Sequence, residues 1–351
     1  MKPLIVPFFI SHRGCPHQCV FCDQVKIAGS GGEFPTEAEM LDKIAAYRRS
    51  GRRSSVEVAF YGGTFTALPS AVQEKLLLPL GPLIAAGEVE SIRVSTRPDA
   101  VNDHTALLLR EMGVKTVELG VQSMADDVLA LSGRGHTAAD VDRACSILKA
   151  AGIAVGVQLM PGLPGDTPKK SLDSFMRVVA LQPDFLRVYP TLVIAGTPLA
   201  TLYENGSYQP LDLDAAVRLC KVMLHRAWQA GIPMIRMGLQ PTAELETAGT
   251  VLSGPYHPAF RYLVEAELCF DLLVRMTRGI APGSHLEVSC APAMVSSLVG
   301  HRRGNVERLG RLYGLMLSGV RGDPALSPFE MIVERAGEVW RGDLIADLDY
   351  A

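Results

Sequence analysis

Over its first 240 residues the chain alternates short β-branched runs with longer amphipathic stretches, and no other feature restricts its fold as strongly. Strand-like runs occupy 4–10, 56–61, 91–95, 116–120, 154–160, 185–189 and 234–237. Helix-period stretches lie between them at 36–49, 72–86, 103–112, 138–151, 170–181 and 215–230. Three of these end at a glycine (Gly113, Gly152 and Gly231), the residue that adopts the left-handed cap conformation at least cost. A helix between successive strands allows them to run parallel, in a barrel or a doubly wound sheet. Six or seven such units fall short of the eight that close a barrel of about 250 residues. The expected fold class is therefore α/β, an incomplete (β/α)6-type TIM barrel.

After Gln240-Pro241 the rhythm changes. A loop, Gly254-Pro-Tyr-His-Pro258, leads into a helix expected over 259–277, and mixed elements follow, including a strand at 285–289. The expected organisation is a core over 1–240 and a small C-terminal α+β extension over 241–351.

With 48% hydrophobic residues and a formal net charge of −3, the composition is that of an ordinary soluble protein with no global pull toward nucleic acid or anionic membrane. The N-terminal apolar run is too short to span a bilayer and meets Pro3 and Pro7, so it reads as a buried strand. A cytoplasmic protein without a membrane partner is expected.

Three of the seven cysteines crowd into Cys15-Pro-His-Gln-Cys19-Val-Phe-Cys22. In a reducing compartment such a cluster indicates metal, not a disulfide framework. Three close thiolates suit three corners of an iron–sulfur cube and leave the fourth iron open to a substrate. Zinc is the alternative, with His12 or His17 as a fourth ligand.

Four further loops follow successive strands. Tyr61-Gly-Gly-Thr-Phe65 carries paired glycines that permit close backbone approach and offer carbonyl acceptors. Ser95-Thr-Arg-Pro-Asp99 follows the third strand, and Gly120-Val-Gln-Ser123 the fourth, with Arg134-Gly-His-Thr137 beyond it. Gln158-Leu-Met-Pro-Gly-Leu-Pro-Gly165 follows the fifth. The strand ends of parallel barrels are where active sites are built.

The C-x3-C-x2-C spacing, with Phe21 in the aromatic place, resembles the cluster loop of the radical S-adenosylmethionine (SAM) superfamily. The order of the later loops is similar to oxygen-independent coproporphyrinogen oxidase and, in more detail, to the radical SAM part of the Elongator catalytic subunit. Glu118-Leu-Gly-Val-Gln-Ser123, Arg134-Gly-His-Thr137 and Tyr189-Pro-Thr-Leu-Val-Ile-Ala-Gly-Thr197 carry that likeness, which spans 1–240. The resemblance implies a partial barrel of the radical SAM kind. It also implies a single [4Fe–4S] cluster on Cys15, Cys19 and Cys22, with S-adenosyl-L-methionine on its open iron.

By the same resemblance Phe21 packs near the adenine, Gly62, Gly63 and Thr64 receive the SAM amino group, Gln122 contacts the ribose or carboxylate, and Arg134 neutralises the carboxylate. Ser95 stands where relatives carry a Glu for the ribose hydroxyls, and Gln158 where some carry Asp; both still hydrogen-bond. The implied activity is reductive SAM cleavage to a 5′-deoxyadenosyl radical that abstracts hydrogen from an unidentified substrate. The electron donor would be a low-potential flavodoxin or ferredoxin type. An RNA-binding or RNA-modifying role like that of Elongator is the alternative.

Acetyl transfer is not implied, because no acetyl-CoA loop is evident after residue 240. Cys145, Cys220, Cys269 and Cys290 are scattered and read as small buried hydrophobes. Tyr256, His257, Arg261 and Glu265 are candidates either for substrate contact or for a loop that opens a helix. Basic runs at 48–53 and 301–305 read as solvated surface or as phosphate contacts.

Overall fold

The computed structural model describes residues 4–23, 33–50 and 55–350; Gly51, Arg52 and Arg53 of the first basic run lie outside the described residues. The chain divides into two compact units. One contains the residues up to Asp212 together with Ile232–Tyr256; the other contains Leu213–Gly231 and the residues from His257 onward.

In the first unit, β1 (Leu4–Phe9), β2 (Val56–Tyr61), β3 (Ser91–Thr96), β4 (Val114–Gln122), β5 (Ala154–Leu159), β6 (Phe185–Val188) and β8 (Met234–Met237) form one sheet. The order is β1-β2-β3-β4-β5-β6-β8 and every pairing is parallel, so the sheet is a curled half-barrel, an incomplete TIM barrel as the alternation predicts. Five of the six residues of β2 are buried, as expected for parallel strands covered on both faces.

Local sequence sets the helix boundaries. Asn102 and Thr105 exchange the reciprocal bonds of a capping box at Asp103–Glu111, and Thr137 and Asp140 do the same at Ala138–Ala150. The stretch expected as one helix over 72–86 is instead Ser70–Leu77, a 3-10 turn at Leu78–Leu80 and a short helix at Gly81–Ala85. Pro79 and Pro82 lack the N–H groups that a continuous helix needs there. Gly156 of β5 is register partner to Phe185 of β6, and a Cβ at Gly156 would overlap the Phe185 ring. The ring occupies the space that the glycine leaves.

One pairing in this unit was not foreseen. β7 (Val193–Ile194) forms a two-stranded antiparallel ribbon with β9 (Val251–Ser253). Such short strands carry no periodicity in the sequence. Gly254 follows β9 with φ +109°, and a Cβ there would stand 2.9 Å from the Thr191 carbonyl oxygen.

The second unit packs helix Leu213–Gln229 against helix Phe260–Met276. Its sheet has the order β11-β10-β12-β13, from β10 (His285–Cys290), β11 (Met316–Gly322), β12 (Glu330–Arg335) and β13 (Glu338–Asp343). The Trp228 and Phe329 rings stand 4.9 Å apart, and Lys221 Nζ lies 2.6 Å from Asp271, which also accepts from the Tyr350 hydroxyl. Cys145, Cys220, Cys269 and Cys290 are all buried. Burial pushes the thiols of Cys145 and Cys290 up to about 11 and those of Cys220 and Cys269 likewise upward, as for small apolar side chains.

No helix among the described residues is long and apolar enough to cross a membrane.

Candidate functional site

The loops after β1 to β6, together with β8, surround one cavity of about 630 Å³ in the first unit. That size lies within the range of small-molecule sites, roughly 300–1,000 Å³. Cys15, Cys19, Phe21, Cys22, Gly62, Gly63, Thr64, Ser95, Gln122, Arg134 and Gln158 all line it. Tyr256, His257, Arg261 and Glu265 do not. His257 Nδ1 accepts from the Ala259 N–H at 3.1 Å, and Arg261 pairs with Glu265 at 2.7 Å one helical turn away.

The cysteine loop is held by backbone bonds from its neighbours. Ile10 N–H donates to the Tyr61 carbonyl (2.8 Å), His12 N–H to that of Gly62 (2.9 Å), and Thr64 N–H to that of Arg13 (2.9 Å). Farther along, Val20 N–H donates to the Ser132 carbonyl (3.1 Å), and Leu199 N–H to that of Val20 (2.8 Å). The second of the paired glycines is required by the protein's own backbone. A Cβ on Gly63 would stand 2.5 Å from the Arg13 carbonyl oxygen and 2.6 Å from that of Ile10. Gly14, at φ +72°, faces the Thr64 carbonyl in the same way. Cys19 and Phe21 are buried with Val128, Leu163, Val193 and Leu199, so Phe21 is both cavity wall and loop anchor.

Around the thiols, Cys15 Sγ lies 3.2 Å from Thr64 Oγ1, and Arg134 Nη1 donates to Cys19 Sγ at 3.3 Å. Arg134 Nη2 donates to the Gly120 carbonyl, while its buried Nε has no partner among the described residues. The Arg134 backbone is held in turn by Arg97, whose guanidinium reaches its carbonyl and binds Asp99 through two 3.0 Å bonds. His136 is buried, with Nε2 3.1 Å from the Val121 carbonyl oxygen. Burial, then Arg134 and Arg97, push it down to about 4, so the ring is neutral near pH 7.

Gln122 ends β4 at φ +69°, a left-handed conformation costly for a non-glycine residue, next to a shift in register. Its side-chain oxygen accepts from Gln158 Nε2 at 3.1 Å.

A second group was not singled out from the sequence. Glu118 Oε1 accepts from Arg93 Nη1 (2.7 Å) and Arg187 Nη2 (2.9 Å), and Arg93 also pairs with Glu57 (2.8 Å). Tyr189 and Tyr61 hydroxyls stand 3.2 and 3.4 Å from Arg187. Burial opposes the charge on both arginines, and the surrounding carboxylates and phenols more than offset it, holding each above the ordinary arginine value. Burial, then Glu118, pushes the Tyr61 phenol up. The available signal was an ionisable residue inside a strand that the fold buries: Glu57 in β2, Arg93 in β3, Glu118 in β4 and Arg187 in β6.

Among the described residues no three His, Cys, Asp or Glu side chains are grouped to hold one metal ion. A [4Fe–4S] cube makes a different demand, because each thiolate binds a different iron. Three thiols on one loop, opening on one cavity beside a guanidinium with an unpartnered N–H, fit a cluster carrying an anionic ligand.

The chain matches the radical SAM superfamily over residues 9–176 and the radical SAM C-terminal domain over 183–269. It is 27% identical over 255 residues to the tRNA uridine(34) acetyltransferase of Methanocaldococcus jannaschii, covering 61% of this chain and 47% of that protein. It is 30% identical over 185 residues to Elongator complex protein 3 of Saccharomyces cerevisiae, covering 47% of this chain and 33% of that protein. It thus spans about half or less of the length of these relatives. Among solved structures, archaeal Methanocaldococcus infernus Elp3 with an N-terminal deletion superposes with a TM-score of 0.61 at 21% identity, covering 79% of this chain and 68% of that one. This likeness extends the shared fold. Members of the superfamily are enzymes that bind a [4Fe–4S] cluster and SAM, and by its matched domains, its half-barrel and its cysteine loop this chain belongs to the radical SAM superfamily.

Proposed function

We propose that this chain holds its [4Fe–4S] cluster on Cys15, Cys19 and Cys22 and cleaves SAM reductively in the cavity they line. A [4Fe–4S] cluster and SAM bound there would supply radical chemistry, through one-electron cleavage of a carbon–sulfur bond, for hydrogen abstraction from a substrate. Arg134 takes the SAM carboxylate through its free donors, and its bond to Cys19 ties that carboxylate to the cluster loop. Gly62, Gly63 and Thr64 face the amino group, Gln122, Gln158 and Ser95 supply polar contacts to the ribose side, and Phe21 offers an apolar face to the adenine. His136, neutral, adds no charge that would compete for the carboxylate. A flavodoxin- or ferredoxin-type donor delivers the electron, and the reducing cytoplasm is where such thiols persist.

The observation that carries this reading is the convergence on one cavity of the thiols and of polar residues from the ends of β2 to β5. Anaerobic reconstitution followed by dithionite and SAM is expected to yield 5′-deoxyadenosine, with the Cys19→Ala variant inactive. Wild-type protein with an intact cluster and no cleavage would sink the proposal.

The relatives' names favour RNA as the substrate class, since the matched uridine(34) enzyme acts on tRNA. Binding of bulk tRNA that is saturable and falls steeply with salt is the expected result. No binding at low salt removes RNA and leaves the radical chemistry standing.

A further inference from the structure

Two arginines stand side by side in the wall of the cavity. Arg187 of β6 and Arg236 of β8 are register partners on neighbouring parallel strands, and both line the cavity. β8 is the edge of the sheet opposite β1, the strand that leads into the cysteine loop. Neighbouring strands lie about 4.8 Å apart, so two like charges in register repel unless something negative faces them.

The charges nearby do not balance. Glu57 and Glu118 match Arg93 and Arg187, two against two. Arg236 has no carboxylate partner among the described residues; its Nη1 donates to the neutral Gln240 Oε1 at 2.9 Å. Among the described residues the buried Nε of Arg187 has no acceptor. Among the described residues Glu118 is the only acidic one lining the cavity, whereas Arg97, Arg134, Arg187 and Arg236 all line it. Asp99 neutralises Arg97, and SAM brings one carboxylate, for Arg134.

We propose that Arg236, oriented by Gln240 and seconded by the free Nε of Arg187, forms an oxyanion subsite for the substrate. The substrate then carries a carboxylate or a phosphate ester that sits at the ends of β6 and β8. Arginine's planar fork suits either group. This proposal rests on the radical SAM reading of the same cavity.

The test uses the full chain, reconstituted anaerobically and saturated with SAM so that Arg134 is occupied. Thermal unfolding is followed in inorganic phosphate, in malonate and in chloride at matched ionic strength. Phosphate or malonate is expected to raise the wild-type midpoint saturably above chloride, as a ligand of the folded state must. Arg236→Gln should weaken that response at least about tenfold in anion concentration, and Arg236→Lys should keep part of it. Both variants should keep the SAM-induced rise, which also reports that they are folded. A stronger response to phosphate assigns a phosphate ester, and one to malonate assigns a carboxylate. No anion-specific rise in the wild type, or the same rise in Arg236→Gln, overturns the subsite. Loss of the SAM-induced rise in the wild type instead defeats the cofactor reading, and the anion series repeated without SAM then judges the subsite separately.

Discussion

Replacing Glu118 by Gln removes the charge shared by two buried arginines and leaves the side-chain volume almost unchanged. The side chains of Glu118, Arg93 and Arg187 are only 7%, 11% and 17% exposed. The two arginines do not lose equally. Arg93 keeps Glu57, through bonds of 3.0 Å and 2.8 Å, whereas Arg187 keeps only the hydroxyls of Tyr189 and Tyr61. Breaking a buried pair by removing one partner costs about 3–5 kcal/mol, because the remaining charge is left uncompensated. Arg187 borders the cavity, where water screens it, so the lower end of that range, about 3 kcal/mol, is expected for Glu118→Gln. Adding Arg187→Met removes the stranded charge, and the double variant should return to within about 1 kcal/mol of the wild type. Adding Arg93→Met instead should not restore it, since that variant strands Glu57 as well. Urea unfolding followed by far-UV circular dichroism measures each step, and amide exchange at β4 and β6 localises the loss. A cost below about 1 kcal/mol for Glu118→Gln, or equal rescue by either arginine replacement, would refute the reasoning.

Two other outcomes follow from the site. Gly63→Ala places a methyl against the immobile carbonyls of Ile10 and Arg13, so it should cost about 1–3 kcal/mol and lower the iron bound per chain after reconstitution; full cluster loading would show that the loop can shift without loss. His136 is held down to about 4 in the folded chain against about 6.5 in the unfolded one. Its contribution is complete above pH 6.5 and is lost as pH falls through 4, on the order of 3 kcal/mol. His136→Gln should flatten that part of the stability–pH curve, and an unchanged slope between pH 6.5 and 4 would contradict the assignment.

The cysteine loop was legible because its chemistry is local: three thiols within eight residues, with an aromatic between the last two, need no tertiary information to be recognised. The central strands were legible because parallel strands buried on both faces are nearly continuous apolar runs, and the expected 56–61 coincides with β2; the expected 234–237 coincides with β8, a half-buried edge strand. The β7–β9 ribbon was not legible, because two- and three-residue strands exist only through their partner across the fold. In sequence the paired glycines read as room for a ligand to approach the backbone; in the structure the missing Cβ of Gly63 also makes room for the cysteine loop's own backbone.

The sequence alone determined a parallel α/β half-barrel with a thiol loop after its first strand, because periodicity and residue chemistry act over a few neighbouring positions. Only the tertiary structure decided how charge is distributed inside it. Glu57, Arg93, Glu118, Arg187 and Arg236 lie up to 179 residues apart in the sequence (236 − 57) and meet because the curled sheet turns their side of five strands toward one interior. Which of them balance, and that Arg236 is left without a carboxylate among the described residues, depends on distances of a few ångströms that no linear pattern encodes.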